Sequence, residues 1–350
     1  MDPLVSVQFA QSNIKIRCER RLPRPGDTTV RVGNTVAPNQ VVARIPEQVA
    51  FHIVPANELL GVPPAAVHDY LQVDIGDNVQ LGMLLLKKKS MFGTKTVTAP
   101  VAGQISAVQN GRIILESVGR ITELRAMVKG RVASFVGNHT VVIETQGTLL
   151  QGVWSTGIET FGPLKMTSDY PDDPLFGNSI SQHNDHILVA GTITSESVLE
   201  QAAAEEVKGL IIGTLSARLC QVAQKLQLPL ILTDGIGDYP MSQHIFELLR
   251  QWEGHETSLL IATGRYQRPE IIIPHKITTG EAQPLTYHPL ATGQPVRLLR
   301  QPYQGQIGQV VKLFHKARTT EIGIKAHGAM VAISTEQAIF VPYANMEAIL

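Results

Sequence analysis

Two stretches of the chain follow one pattern, and that pattern constrains the fold more than any other feature. VRVGNTVAPNQVVARI, residues 30–45, and LQVDIGDNVQLGMLLL, residues 71–86, each alternate apolar and polar residues, pause at Gly with Asn or Asp, and alternate again. Alternation with period two marks a half-buried strand. Gly33-Asn34 and Gly76-Asp77 read as tight turns, because these residues accept positive φ at low cost. Gly82 supplies a further turn in the second copy, and Asn39 is expected in that left-handed role in the first. Next comes KTVTAPVAGQISAVQNGRIILE, residues 95–116. Pro100 and Gly103 bracket a bend there, and Asn110-Gly111 is a strong hairpin signal. Residues 1–118 are therefore expected to form an all-β, sandwich-like domain, with a short helix in the interruption at 54–71.

Gly-Asp-x-Val-x-x-Gly (76–82) followed by Ala-Pro-Val-x-Gly (99–103) resembles the barrel-sandwich hybrid fold. That fold includes biotinyl and lipoyl carriers, and non-carrier forms in RNA polymerase largest subunits and Rnf-type electron-transport subunits. A biotinyl carrier places a Met-Lys-Met shortly before the Ala-Pro pair. The matching position here is Phe92, next to Met91, and Lys87, Lys88, Lys89 and Lys95 lie to either side of it. The resemblance thus implies a non-carrier domain. Clustered CxxC pairs for iron–sulfur ligation are also missing, so the electron-transfer role does not carry over.

A chain of 350 residues exceeds one ordinary core and suits several domains. The start, MDPLVSVQFAQS, has neither a basic n-region nor a long apolar run, so no leader is expected, and no window suits a membrane helix. The two cysteines, Cys18 and Cys220, are far apart and read as reduced thiols of a cytoplasmic protein. Net charge is zero overall, but residues 1–120 carry 13 basic and 9 acidic side chains, residues 121–290 carry 11 and 18, and residues 291–350 carry 6 and 3. A dedicated nucleic-acid binder shows a larger basic excess, so only the tail keeps that reading open.

Residues 119–182 contain short apolar runs punctuated by glycine and form a second β-rich segment. The loop at 167–178, with Asp169, Asp172 and Asp173, reads as a plain acidic loop. From His186 the period changes. Strand-like runs at 187–191, 209–214, 228–235 and 258–263 alternate with helical runs at 195–207, 215–226 and 241–252, with Ser195 an expected N-cap. Such alternation implies a small parallel α/β unit over 183–275, its strands buried on both faces. Ligands of open α/β sheets sit at the carboxyl edge, which makes Thr192, Thr214, Ser216 and Asp234 the candidate ligand-binding residues. The competing reading is ordinary helix-capping turn chemistry. No nucleotide fingerprint, Walker motif or catalytic triad order is present. His183, Asp185 and His186 lack a sequence-local third ligand. No catalytic residue, metal or cofactor is expected.

Over residues 290–350, alternation at Val296, Leu298, Ile307, Val310, Ile322, Ile324, Val331 and Phe340 predicts a small barrel. Gly293-Gln-Pro-Val-Arg297 followed by Gly305-Gln-Ile-Gly308-Gln-Val310 resembles the KOW motif of NusG-type transcription factors and several ribosomal proteins, and implies an SH3-like barrel that contacts RNA or protein. Arg297, Arg300, Lys312, Lys316, Arg318 and Lys325 are then the candidate contacts. The expected whole is a multidomain, β-rich plus α/β protein: a non-enzymatic, multi-module binding or scaffold protein with a protein partner and no membrane contact. One alternative is a transcription- or translation-associated factor that binds RNA or RNA polymerase through residues 291–350. The other is a ligand-sensing or enzymatic α/β unit.

Overall fold

The computed structural model describes residues 5–45, 49–90, 93–118, 121–262, 267–276, 283–284, 289–320 and 322–349. The chain is β-rich and built from several sheets. It divides into two compact units, one comprising Met1–Pro23, Thr28–Val42 and Leu124–Leu350, the other Arg24–Asp27 and Ala43–Glu123. The first strands therefore fold with the later part of the chain, not with the residues expected beside them in a 1–118 domain. Among the described residues, no helix is long and apolar enough to cross a membrane.

The smaller unit has a four-stranded sheet in the order Val49–Val54, Arg112–Val118, Gly103–Gln109, Asn78–Val79, and a separate hairpin of Leu84–Ser90 with Gly93–Thr98. Asn110 and Gly111 both take positive φ, 50° and 74°, and set the register Gln109↔Arg112. The expected short helix is Ala56–Leu60, followed by a 3-10 turn at Pro64–Tyr70. Leu60, Val67, Leu85, Leu86, Ile105, Ile113 and Leu115 fill the core. Lys88 donates to the Gly61 carbonyl at 3.3 Å, at the helix C-terminus where a cation is favoured. Met91 and Phe92, the position a carrier would modify, lie outside the described residues.

The larger unit repeats part of this geometry. Gly76 N–H donates to the Ile105 carbonyl at 2.8 Å, and Gly33 N–H to the Val132 carbonyl at 2.8 Å. Ala99 N–H donates to Met83, and Ala126 N–H to Gln40. Gly103 pairs with Val79 as Gly130 pairs with Val36. Register shifts fall at Ile105/Ala107 and at Val132/Ser134. A Cβ on Gly103 would lie 2.4 Å from the Glu116 carbonyl oxygen, and one on Gly130 would lie 2.5 Å from that of Glu144. Ala-Pro-Val-Ala-Gly-Gln-Ile (99–105) thus has a structural counterpart in Ala-Met-Val-Lys-Gly-Arg-Val (126–132). The doubled pattern is a duplication of a turn and its partner strand, and the second copy is inserted in sequence within the first. Asn39 does not take the left-handed conformation expected of it; Met127 does, at φ 60°.

The rest of the larger unit is built on one twelve-stranded sheet. The long strand Ala10–Arg21 pairs antiparallel with Thr140–Gln151. Thr160–Met166, Ile187–Thr192, Gly209–Leu215 and Leu230–Ile236 run parallel in that order. Glu256–Leu260 and Glu270–Pro274 join the two regions, so the segments expected apart at 119–182 and 183–275 share a sheet. Glu196–Ala204 and Ala217–Lys225 pack on one face, against Leu188, Leu210, Ile212 and Leu232. Gln243–Gln251 packs on the other, against Ile187, Val189, Ile211 and Ile231. With both faces covered, every residue of Gly209–Leu215 is buried, which is why that run is apolar apart from Thr214, whose hydroxyl is hydrogen-bonded internally. Ser216 and Ser242 cap their helices; Ser195 occupies an N-cap position but makes no cap bond, and lies 3.0 Å from the Ser197 hydroxyl instead.

A six-stranded sheet closes the chain, in the order Ser6–Gln8, Met346–Ile349, Pro295–Leu298, Ile307–Leu313, Gly328–Ala332, Ala338–Pro342. Its first strand comes from the opposite end of the chain and runs parallel to the last.

Both cysteines are free and buried. Burial pushes the Cys18 thiol up to about 12, and raises Cys220 as well. Neither is expected to react with a thiol-specific reagent at pH 8 while the chain is folded, and both are expected to react on unfolding. Stoichiometric labelling of the native protein would contradict that burial.

Candidate functional site

The carboxyl ends of the parallel strands bring Thr192, Thr214, Ser216 and Asp234 to one edge. Each makes internal bonds. The Thr192 hydroxyl donates to the Thr214 carbonyl at 3.2 Å. The buried Thr214 hydroxyl donates to the Tyr239 carbonyl at 2.5 Å. Ser216 Oγ accepts the Leu219 N–H at 3.4 Å and caps Ala217–Lys225.

Asp234 is the centre of a buried charge network. Its Oδ1 lies 3.0 Å from Arg297 Nη2, and its Oδ2 accepts the Thr233 hydroxyl at 2.7 Å. Arg297 is 1% exposed, one of the largest fully buried side chains. It also donates to Gln8 Oε1 at 2.6 Å and lies 3.5 Å from Glu347 Oε2. Glu347 pairs in turn with Arg268, which reaches the Ser6 hydroxyl at 2.8 Å. Gln8 Nε2 donates to the carbonyls of Gln151 and Thr233 at 2.5 and 2.8 Å. Arg297, Asp234 and Glu347 are buried and Arg268 is partly exposed, so two arginines balance two carboxylates across the network. Burial pushes the Asp234 carboxyl up, while Arg297 and the Thr233 hydroxyl oppose that shift.

This network joins the six-stranded sheet to the carboxyl edge of the parallel strands. Tyr239 adds to the junction: its hydroxyl donates to the Asp234 carbonyl at 3.1 Å, and its ring lies where a Cβ on Gly305 would stand. The acidic loop covers the edge from another side. Gly191 N–H donates to the Asp173 carbonyl at 3.0 Å, and Met241 N–H to that of Pro171. Asp173 Oδ2 accepts the N–H groups of Asp169 and Tyr170, as a turn-forming side chain does.

Arg297 was expected at a contact surface, and its burial in this network removes it from one. Val296 and Leu298 point into the C-terminal core, so alternation puts Arg297 on the opposite face. That face is covered by the parallel-strand edge, which no local pattern could announce. Gln8, Arg268 and Glu347 carry no local signal for the same reason: they meet only in the fold, from segments far apart in the chain. The other five tail cations, Arg300, Lys312, Lys316, Arg318 and Lys325, are exposed. Two of them gather at Phe314, with the Arg318 guanidinium 4.3 Å and the Lys312 ammonium 5.7 Å from the ring centroid. His183 ends the helix Gly177–Gln182 and His186 precedes its strand, with rings 5.6 Å apart; among the described residues no three His, Cys, Asp or Glu side chains gather as a metal site.

The sequence matches no protein-family model and no curated protein.

Proposed function

We propose that the chain is a non-enzymatic, multi-module binding or scaffold protein. Its modules are a barrel-sandwich-hybrid-like unit in the first third, a small parallel α/β unit, and a C-terminal SH3-like barrel of KOW type that carries the partner surface. One observation carries this reading. The place where open α/β sheets hold ligands is filled by Arg297, Tyr239 and the Pro171–Asp173 turn of the protein itself. A carboxylate locked to a buried arginine is poorly placed to serve as a general base or a ligand anchor, since either role would strip Arg297 of its counter-charge. The α/β unit then acts as the platform on which the barrel is held.

A second reading, a factor that binds RNA or RNA polymerase through the tail, is favoured by the Arg318–Phe314–Lys312 cluster. Cations beside an aromatic ring suit stacked bases and phosphates, and the resemblance to KOW barrels points the same way. Affinity capture of the full-length chain from its native lysate, with and without nuclease, separates the two. The scaffold reading expects a stoichiometric protein partner that survives nuclease and is lost from the Lys312→Glu/Arg318→Glu variant. Partners that vanish with nuclease would favour the RNA reading. Capture unaffected by the tail variant would contradict both.

A further inference from the structure

A concavity of about 700 Å³ in the larger unit lies away from the residues of the Asp234–Arg297 network. That volume falls in the usual range for small-molecule sites. Four cations line it, from well-separated parts of the chain: Lys15, Lys129, Arg131 and Lys276. The acid among the lining residues is Glu144, and it is already engaged, with Lys15 Nζ at 3.2 Å and Arg17 Nε at 3.7 Å. Among the described residues, no carboxylate pairs with Lys129, Arg131 or Lys276. Arg131 Nε donates to the Gly33 carbonyl at 3.1 Å, which fixes the root of its guanidinium. Cations gathered around a concave, partly desolvated surface repel one another and focus a positive potential into it.

The wall of this pocket is built rather than incidental. His275 stacks flat on Trp252, with ring centroids 3.6 Å apart and 13° between planes, and its Nε2 lies 3.0 Å from the Thr148 hydroxyl. His255 meets the same indole edge-on at 5.2 Å. Burial, together with His255, holds the His275 imidazole below its ordinary value, which favours its neutral form. Ammonium groups and a guanidinium fork beside an aromatic wall suit phosphoryl oxygens, which accept charge-assisted hydrogen bonds from several directions.

We propose that the pocket ringed by Lys15, Lys129, Arg131 and Lys276 binds a small phosphorylated molecule through its phosphoryl group. The three cations without a carboxylate partner among the described residues call for a ligand group carrying more than one negative charge, and the pocket is sized for a metabolite.

The test is isothermal titration of the full-length chain with inorganic pyrophosphate at low salt, repeated with a short single-stranded oligonucleotide. Lys129 and Lys276 are both exposed, so Lys129→Gln/Lys276→Gln removes charge without opening the core. Saturable binding of one pyrophosphate per chain is expected, weakened by about tenfold or more in that variant, as loss of ~1.4 kcal/mol of charge-assisted contacts would give. The variant Lys208→Gln/Lys225→Gln, which removes two exposed lysines elsewhere in the larger unit, should bind as the parent does. Quenching or recovery of Trp252 fluorescence in a Trp154→Phe background should track the titration. No saturable binding, or equal binding by the Lys129→Gln/Lys276→Gln variant, would overturn the proposal. An oligonucleotide that binds more tightly than pyrophosphate and loses affinity in the same variant would also overturn it, assigning the pocket to nucleic acid.

Discussion

Arg297→Ala is expected to destabilise the larger unit by about 3–5 kcal/mol, the cost of leaving buried charge unpaired. The substitution strands the carboxylate of Asp234, 1% exposed, takes from the buried Glu347 one of its two arginine partners, and leaves Gln8 Oε1 without its 2.6 Å donor. Asp234→Asn should cost less, about 1–2 kcal/mol. Burial already pushes that carboxyl toward its neutral form, and Arg297 keeps Glu347 as a counter-charge. Urea unfolding followed by circular dichroism measures both. The order of the two variants matters more than either value. Equal, small losses would mean that the network is hydrated and the junction loose.

Gly191→Ala is the second large effect. A Cβ on Gly191 would lie 2.1 Å from the Pro171 carbonyl oxygen and 2.7 Å from its carbon, so a backbone segment would have to move. The same carbonyl accepts the Met241 N–H, and Asp173 accepts the N–H of Gly191 itself. Displacing the turn breaks both bonds. A loss of about 3 kcal/mol is expected, the upper end for overpacking. The thermal unfolding midpoint checks it, and a midpoint within a degree of the parent would show that the turn is not held against the strand end.

Gly191 also illustrates how far sequence reasoning reaches. Gly-Thr at the end of a strand suggested turn chemistry, and the helices and the uninterrupted apolar strands around it were legible because their periodicity is local. The need for glycine there is not local: it comes from a loop some twenty residues earlier that lies across the strand end. Asn110-Gly111 could be read directly, since a two-residue turn needs nothing beyond itself. Ala10–Arg21 alternates as a strand should, but nothing in it says that its partner is Thr140–Gln151, and Ser6–Gln8 is too short to announce a place beside Met346–Ile349. The duplication was half visible. The two Gly-Asn/Asp turns share a pattern, whereas Ala126–Val132 matches Ala99–Ile105 only once Gly130 and Gly103 are seen to approach the same kind of carbonyl. Arg297 marks the firmest limit. Period-two alternation assigns it to the face opposite Val296 and Leu298, and only the assembled unit reveals that this face is buried.

The functional account depends on the carboxyl edge being held shut by the C-terminal sheet, and amide hydrogen exchange resolved by peptide tests that most directly. Leu230–Ile236 and Pro295–Leu298 should open together with one free energy close to that of global unfolding, and Arg297→Ala should release both at once. Independent, low-energy opening of Pro295–Leu298 while Leu230–Ile236 stays protected would contradict the account. It would return Thr192, Thr214, Ser216 and Asp234 to solvent as an accessible site.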